Sequence, residues 1–199
     1  MMRAHIRSPG WLLMLMAAAP SLLLIADLRH FIESRMLLHM MVEFPLLLAA
    51  GGAASKLLLP EHSAIRRLLA TIDYRGLTAI TLLLCVSTYW MIPASLDHAL
   101  LDPGVATVKY LSWWTAGMLL ALGWQRISDV LVVFLLGNLS WMFGSVGLLY
   151  QTSESRLCVN YLFGDQQATG RALVALAIAV ALLLAVRVYR SSRLRDRVT

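Results

Sequence analysis

The chain has 199 residues, of which 59% are hydrophobic and 14% charged, and its mean hydropathy is +0.72. This composition excludes an ordinary soluble domain and predicts an integral membrane protein that contacts the lipid bilayer. The net charge of +6 does not indicate nucleic-acid binding, because the basic residues gather at helix ends and in the carboxy-terminal tail.

Six apolar runs approach or exceed the roughly 20 residues that a helix needs to cross a bilayer. No repeat or linker divides residues 1–199, so we expect a single all-α domain, a polytopic transmembrane helical bundle. With both termini in the cytoplasm, 12 of the 17 Lys and Arg residues fall on the cytoplasmic side, as the positive-inside rule requires. The six predicted transmembrane helices are at about 11–27, 36–59, 76–93, 107–124, 130–150 and 171–189.

The first predicted helix has one alternative interpretation. The charged start MMRAHIR and the small residues at 17–19 also fit a cleaved signal peptide over residues 1–26. Pro20 directly follows the small residues and argues against cleavage.

The second predicted helix begins with MLLHMMVEFPLLLAAGG, residues 36–52, and carries two ionisable residues at membrane depth. Such groups cost several kcal/mol in a membrane and normally mark a site. Offsets of three and four residues place Met36, His39, Met40 and Glu43 on one helix face. Pro45 removes a backbone N–H, so the helix is expected to loosen just before it. The alternative is a hydrogen-bonded His39–Glu43 pair that only holds helices together.

The segment PEHSAIRRLLATIDYRG, residues 60–76, carries apolar residues at helical spacing. This pattern predicts an amphipathic helix on the cytoplasmic membrane surface.

Side chains in the predicted outer loops supply further groups that can bind a metal. Thioether, thiol and imidazole groups suit Cu(I) better than magnesium or calcium, so the expected metal site combines Met36, His39, Met40 and Glu43 with His98. Cys158 is either a buried inert thiol or a soft ligand, and no disulfide with Cys85 is expected. The loop residues with donor groups are Asp27, His30, Glu33, Asp97, His98, Asp102, Cys158, Asp165, Gln166 and Gln167.

The last two predicted helices carry packing signals. Small residues form a stripe on the fifth helix that would let a neighbouring backbone approach closely, and Asn138 is expected to hydrogen-bond to another helix. The sixth helix is apolar on all sides from Ala172 to Val186 and is expected to be peripheral and lipid-facing. The stripe comprises Gly137, Ser140, Gly144 and Gly147.

Three segments resemble the bacterial CtaG-type cytochrome c oxidase assembly factors. HMMVEFPLLLAAGG, residues 39–52, resembles their second-helix signature, in which a His–Met pair precedes apolar residues, a proline and a small-residue turn. DQQATGRAL, residues 165–173, is similar to the Asp-Gln-Gln sequence before a late helix, and residues 89–103 resemble an outer segment less closely. Glu43 stands where the family pattern has a second histidine, and the chain is shorter by about one helix.

The resemblance implies a multi-pass protein of the bacterial inner membrane that helps deliver copper to a respiratory oxidase. His39, Met40 and Asp165 are the matching residues, and Asp165 therefore joins the expected metal site. The implied partners are an oxidase subunit and a periplasmic copper carrier.

Other functions stay open at this stage. A non-catalytic accessory subunit of a larger respiratory or oxygenase complex would need no metal. A haem b carrier would need histidines that face one another, and only His39 is clearly within a helix. A transporter would show paired interrupted helices. We expect no enzymatic activity, because hydrolase, metalloprotease, P-loop and dinucleotide motifs do not occur in the sequence.

Overall fold

The computed structural model describes residues 10–59 and 63–196, and all regular structure in these ranges is helical. The predicted all-α class is therefore confirmed. Two 3-10 helices, Ala19–Leu24 and Tyr74–Gly76, adjoin longer elements. The α-helices are α1 (Gly10–Ala18), α2 (Ala26–Glu33), α3 (Met36–Leu58), α4 (Ala64–Ile72), α5 (Leu77–Trp90), α6 (Pro93–Leu101), α7 (Pro103–Gly123), α8 (Asp129–Thr152) and α9 (Phe163–Asp196).

Three of these helices, α3, α8 and α9, are long and apolar enough to cross a membrane, and two bent helix pairs raise the number of candidate spans to five. This agrees with a multi-pass membrane protein. Six spans and cytoplasmic termini stay predictions. Residues 1–9 and 197–199, which include the start of the alternative signal peptide and the last tail residues, lie outside the described part of the chain.

The first predicted helix is shorter than expected, and two predicted outer loops are helices. The α-helix ends at Ala18 and tightens into the 3-10 segment that contains Pro20, after which Ile25 is extended. The first two predicted outer loops, which carry Asp27 to Glu33 and Asp97 to Asp102, are wrong as loops, because α2 and α6 occupy most of them. Pro93 at the start of α6 suits a first helical turn, where its missing N–H is not needed.

Helices α3 and α7 pack with their backbones in contact. A Cβ atom on Gly51 would overlap the carbonyl oxygen of Trp114, and one on Gly117 would overlap that of Leu48. Only glycine permits this reciprocal approach. It brings the side chains that lie a few turns earlier on each helix, including Glu43 and Lys109, face to face.

The predicted small-residue stripe on α8 packs against α9, as expected. Cβ atoms on Gly147 and Gly170 would each lie 2.8 Å from the other's carbonyl oxygen. Ser140 Oγ donates a 2.9 Å hydrogen bond to the Ala177 carbonyl. The prediction for Asn138 is wrong within the chain, because its amide donates to the Phe134 carbonyl of its own helix at 2.8 Å.

Two peripheral helices agree with their sequence patterns. In the most apolar 18-residue stretch of α9, only 11% of the residues are buried, which confirms the peripheral position of this helix. Helix α4 begins after Ser63, whose hydroxyl accepts a hydrogen bond from the Arg66 amide, and it exposes an apolar stripe of Ile65, Leu68 and Ile72. Contact of this stripe with a membrane surface stays a prediction.

Candidate metal centre

Helix α3 widens at the residues that the sequence singles out. Residues His39–Glu43 form a π-helical turn, and Pro45 follows two residues later. Such turns are rare and often lie at functional sites. The loosening expected before Pro45 is therefore present, and it leaves Met36, His39, Met40 and Glu43 fully buried.

A lysine lies at the centre of the buried polar groups. Lys109 of α7 is fully buried, and its ammonium donates hydrogen bonds to Glu33 Oε1 at 2.8 Å and to His39 Nε2 at 2.9 Å. It also lies 2.6 Å from Glu43 Oε1, in an ion pair whose angles fall outside hydrogen-bond geometry. One cation therefore holds together two carboxylates and an imidazole from two helices.

Glu33, at the end of α2, closes the cluster from a third helix. Its Oε1 also accepts a hydrogen bond from the Tyr110 hydroxyl at 2.7 Å. Its Oε2 lies 3.7 Å from Arg29 Nε, and the Arg29 side chain is half exposed. Glu33 is only 12% exposed, so this carboxylate lies between the buried cluster and the surface of the bundle.

The contacts of His39 fix its tautomer. An ammonium group has no acceptor, so Nε2 must accept the bond from Lys109 and Nδ1 must carry the proton. Nδ1 lies 2.6 Å from the Tyr161 hydroxyl, and its N–H donates a hydrogen bond to that oxygen. The lone pair of Nε2 is therefore directed at the centre of the cluster. Metal-binding histidines show the same pattern, with the distal N–H held by a neighbouring group.

Glu43 supplies an unpaired oxygen. Its Oε2 accepts no hydrogen bond from the residues that the structure describes, and His39 Nε2 lies 3.8 Å from it. Buried polar atoms are nearly always hydrogen-bonded, so an orphaned carboxylate oxygen calls for a ligand, a water or an ion. One donor atom each from Glu33, His39 and Glu43 all lie within 4.8 Å of one another.

The segment 153–162 between α8 and α9 carries Tyr161 to His39. Asp97 of α6 accepts hydrogen bonds from the backbone amides of Val159 and Asn160, at 2.8 and 3.2 Å. The amide of Leu157 donates to Gln166 Oε1 at 2.8 Å. These bonds hold the segment in place and leave the phenol of Tyr161 buried, which raises its pKa above the ordinary range.

Cys158, in the same segment, is buried and points at the Pro93 carbonyl, 3.6 Å away. Burial, and secondarily the carboxylate of Asp97, raise the pKa of the thiol to about 12. Metals and electrophiles react with the thiolate. Of the two alternatives for Cys158, the geometry agrees with a buried inert thiol.

Of the four predicted ligands with an imidazole or carboxylate group, Asp165 and His98 lie outside the three-residue donor group. Asp165 Oδ2 accepts a hydrogen bond from the Met36 amide, so this carboxylate caps the start of α3. His98 is exposed on α6. Lys109, Tyr110 and Tyr161 are the residues that sequence reasoning missed.

An aromatic pair lies one helical turn further along α3 and α7. The rings of Phe44 and Trp113 stack with centroids 4.8 Å apart. Phe44 also meets the ring of His39 edge to face at 5.4 Å. Apolar rings therefore border the cluster on the side toward Leu58 and Gly123.

Comparison of the chain with protein-family models, curated proteins and solved structures finds no match.

Proposed function

We propose that this protein is a membrane-embedded metal-handling factor, with copper as its cargo and assembly of a respiratory oxidase as its purpose. The observation that supports this most is the orphaned Glu43 Oε2, which lies 3.8 Å from His39 Nε2 in a group of three donor atoms within 4.8 Å of one another. The proposed ligands are Glu33, His39 and Glu43. A periplasmic carrier would supply the metal at the outer face, and an oxidase subunit would receive it.

The donor set fits a borderline metal ion. Imidazole and carboxylate ligands suit Cu(II) and Zn(II), and the buried thioethers of Met36 and Met40 lie on the same stretch of α3, where they would suit Cu(I). Ligands about 2.1 Å from a tetrahedral ion are about 3.4 Å apart, so donor atoms within 4.8 Å need only a small contraction.

Lys109 determines how such a site would work. Its ammonium occupies the position between the donors, so an incoming ion has to displace it. A competing cation would lower the affinity of the site for metal. Lower affinity would help a site that loads and releases cargo, but it would not help a site that retains a cofactor. The resemblance to the CtaG-type factors points to the same function.

Metal analysis of the purified full-length protein tests the proposal. The preparation is loaded with Cu(II), Cu(I) under reducing conditions, or Zn(II), then desalted and analysed for bound metal. We expect bound copper near one equivalent in the wild type. Glu43→Gln, which keeps the shape of the side chain, should lower it severalfold, and so should His39→Ala. His98→Ala is the matched control, because His98 is exposed and outside the donor group.

Equal metal content in Glu43→Gln and the wild type would refute the proposal, and so would no metal in any form. Extraction yield and far-UV circular dichroism check that the variants fold.

A non-catalytic accessory subunit is the second candidate. It is favoured by one observation, that Lys109 pairs with both carboxylates and so balances part of their buried charge. This candidate predicts stable co-purification with a larger membrane complex and no bound metal. The haem b alternative has less support, because His30 and His98, the histidines that would have to face His39, are exposed.

A further inference from the structure

One face of α8 is exposed along the middle of the helix, between the side that packs against α5 and the small-residue side that packs against α9. Its large apolar members are Phe134, Trp141 and Leu148, with 52%, 79% and 56% of each residue exposed. Asn138 and Ser145 lie between them and are also exposed. We call these five residues the α8 seam.

The α8 seam has the spacing of a helix-pairing surface. Its residues follow one another at intervals of four, three, four and three, which is the heptad pattern of two helices that wind around each other. In that pattern Asn138 and Ser145 take the a positions, and Trp141 and Leu148 the d positions. A lone asparagine at an a position is the residue that fixes register and the number of strands in such assemblies.

Asn138 makes contact of the α8 seam with lipid alone energetically unfavourable. It lies in the interior of a span of 24 residues with high mean hydropathy. Its amide nitrogen donates to Phe134, but its Oδ1 accepts no hydrogen bond from the described residues. Lipid tails offer no donor, so this carbonyl gains a hydrogen bond only from another polypeptide at the same depth.

A second copy of the chain meets this requirement without further assumptions. Copies of one membrane protein insert in the same orientation, so two α8 helices meet in parallel, with each Asn138 at the same depth. An asparagine amide carries both a donor and an acceptor, so two of them are complementary across a twofold axis.

The shape of the surface also agrees with self-association. Trp141 protrudes between two shallow grooves, of about 330 Å³ on the α5 side and about 450 Å³ on the α9 side. Each groove could take an aromatic side chain from a facing helix. We propose that the protein forms a parallel homodimer through the α8 seam, with Asn138 hydrogen-bonded to Asn138 of the second copy.

Cysteine cross-linking in lipid vesicles tests the dimer directly. The background is full-length protein with Cys85→Ser, because Cys85 is exposed and Cys158 is buried. Ser145→Cys places a thiol in the seam, and Leu182→Cys, on the exposed face of α9, is the matched control. After mild oxidation at a low protein-to-lipid ratio, Ser145→Cys should give a covalent dimer and Leu182→Cys should remain monomeric.

Energy transfer between labelled copies measures the strength of association. Asn138→Leu should raise the dimer dissociation constant about three- to twentyfold, as expected from the measured strengths of hydrogen bonds between membrane helices. Equal cross-linking at both positions, a monomer at every protein-to-lipid ratio, or an unchanged constant in Asn138→Leu would each overturn the proposal. A monomer that retains a different membrane protein on this face would also overturn it.

Discussion

The replacement Lys109→Met removes the cation at the centre of the cluster and keeps a side chain of similar length. Glu33 and Glu43 then face each other without the ammonium that lies 2.8 and 2.6 Å from their oxygens. Loss of one partner of a buried ion pair costs about 3–5 kcal/mol. Without metal, we therefore expect the variant to be less stable than the wild type by about this amount.

Metal should reverse much of that loss. With the ammonium gone, an ion no longer has to displace a competitor, so we expect copper or zinc to bind the variant at least tenfold more tightly than the wild type. A ligand at 100 times its dissociation constant stabilises a protein by about 2.7 kcal/mol. Saturating metal should thus restore about half of the stability or more, and should raise the Tm of the variant more than that of the wild type.

Thermal unfolding in detergent, with and without metal, measures both effects. Lys56→Met is the matched control, because Lys56 is exposed on α3. It should change neither the Tm nor the response to metal. A Lys109→Met protein as stable as the wild type would refute the electrostatic reasoning. A destabilised variant whose Tm does not respond to metal would instead show that Glu33, His39 and Glu43 do not form a metal site.

Three further predictions follow from the packing, the histidine partner and the buried thiol. Gly51→Ala should destabilise the bundle and lower metal binding, because the added methyl overlaps a carbonyl of α7 and pushes α3 away from it. Tyr161→Phe should leave the fold intact but weaken metal binding about tenfold, since groups that orient a metal-binding histidine contribute about that much. Cys158 should react with iodoacetamide at neutral pH about a thousandfold more slowly than an ordinary thiol. Its pKa is raised from 9.0 to about 12, and the thiolate fraction, which carries the reactivity, falls accordingly and recovers only as the pH approaches that value.

Each of these predictions has its own check. Gly52→Ala is the control for Gly51→Ala, because a methyl there meets only ordinary contacts from 3.5 Å, and similar Tm values for the two variants would contradict the packing argument. Equal metal affinity in Tyr161→Phe and the wild type, measured by competition with a chelator, would show that the phenol does not orient His39. Mass spectrometry of the alkylated protein follows Cys158, and rapid labelling at neutral pH would show that its segment opens.

The buried face of α3 was predictable because the residues that define it are close together in the sequence. His39 and Glu43 stand four residues apart in an apolar run, and Pro45 lies two residues further on, so spacing alone indicates both the shared face and the loosened turn. The small-residue stripe of α8 was predictable for the same reason.

Lys109 was missed because its partners are distant in the chain. The orientation argument places it among the five Lys and Arg residues on the outer side, although it lies within the predicted span 107–124. The rule that singled out Glu43, that an ionisable residue at membrane depth needs a partner, applies equally to Lys109. That rule shows that a partner exists, but it does not show which residue 66 or 76 positions away provides it.

Asp165 and His98 illustrate the limit of loop-based reasoning. A carboxylate or imidazole in a predicted loop has many possible partners, and for Asp165, which the family resemblance also singles out, the amide at the start of α3 is the partner in the fold. The sequence around Asp165 does not indicate this partner, because the pairing depends on where α9 begins relative to α3.

The stacked rings of Phe44 and Trp113 restrict the path by which a metal ion could reach the cluster. An ion bound at His39, as proposed, would have these aromatic rings on the side toward Leu58 and Gly123, so it would enter and leave from the Glu33 side. A donor protein and an acceptor protein would then bind to the same face of the bundle, one after the other. The order in which they dock, rather than a gradient across the membrane, would set the direction of transfer.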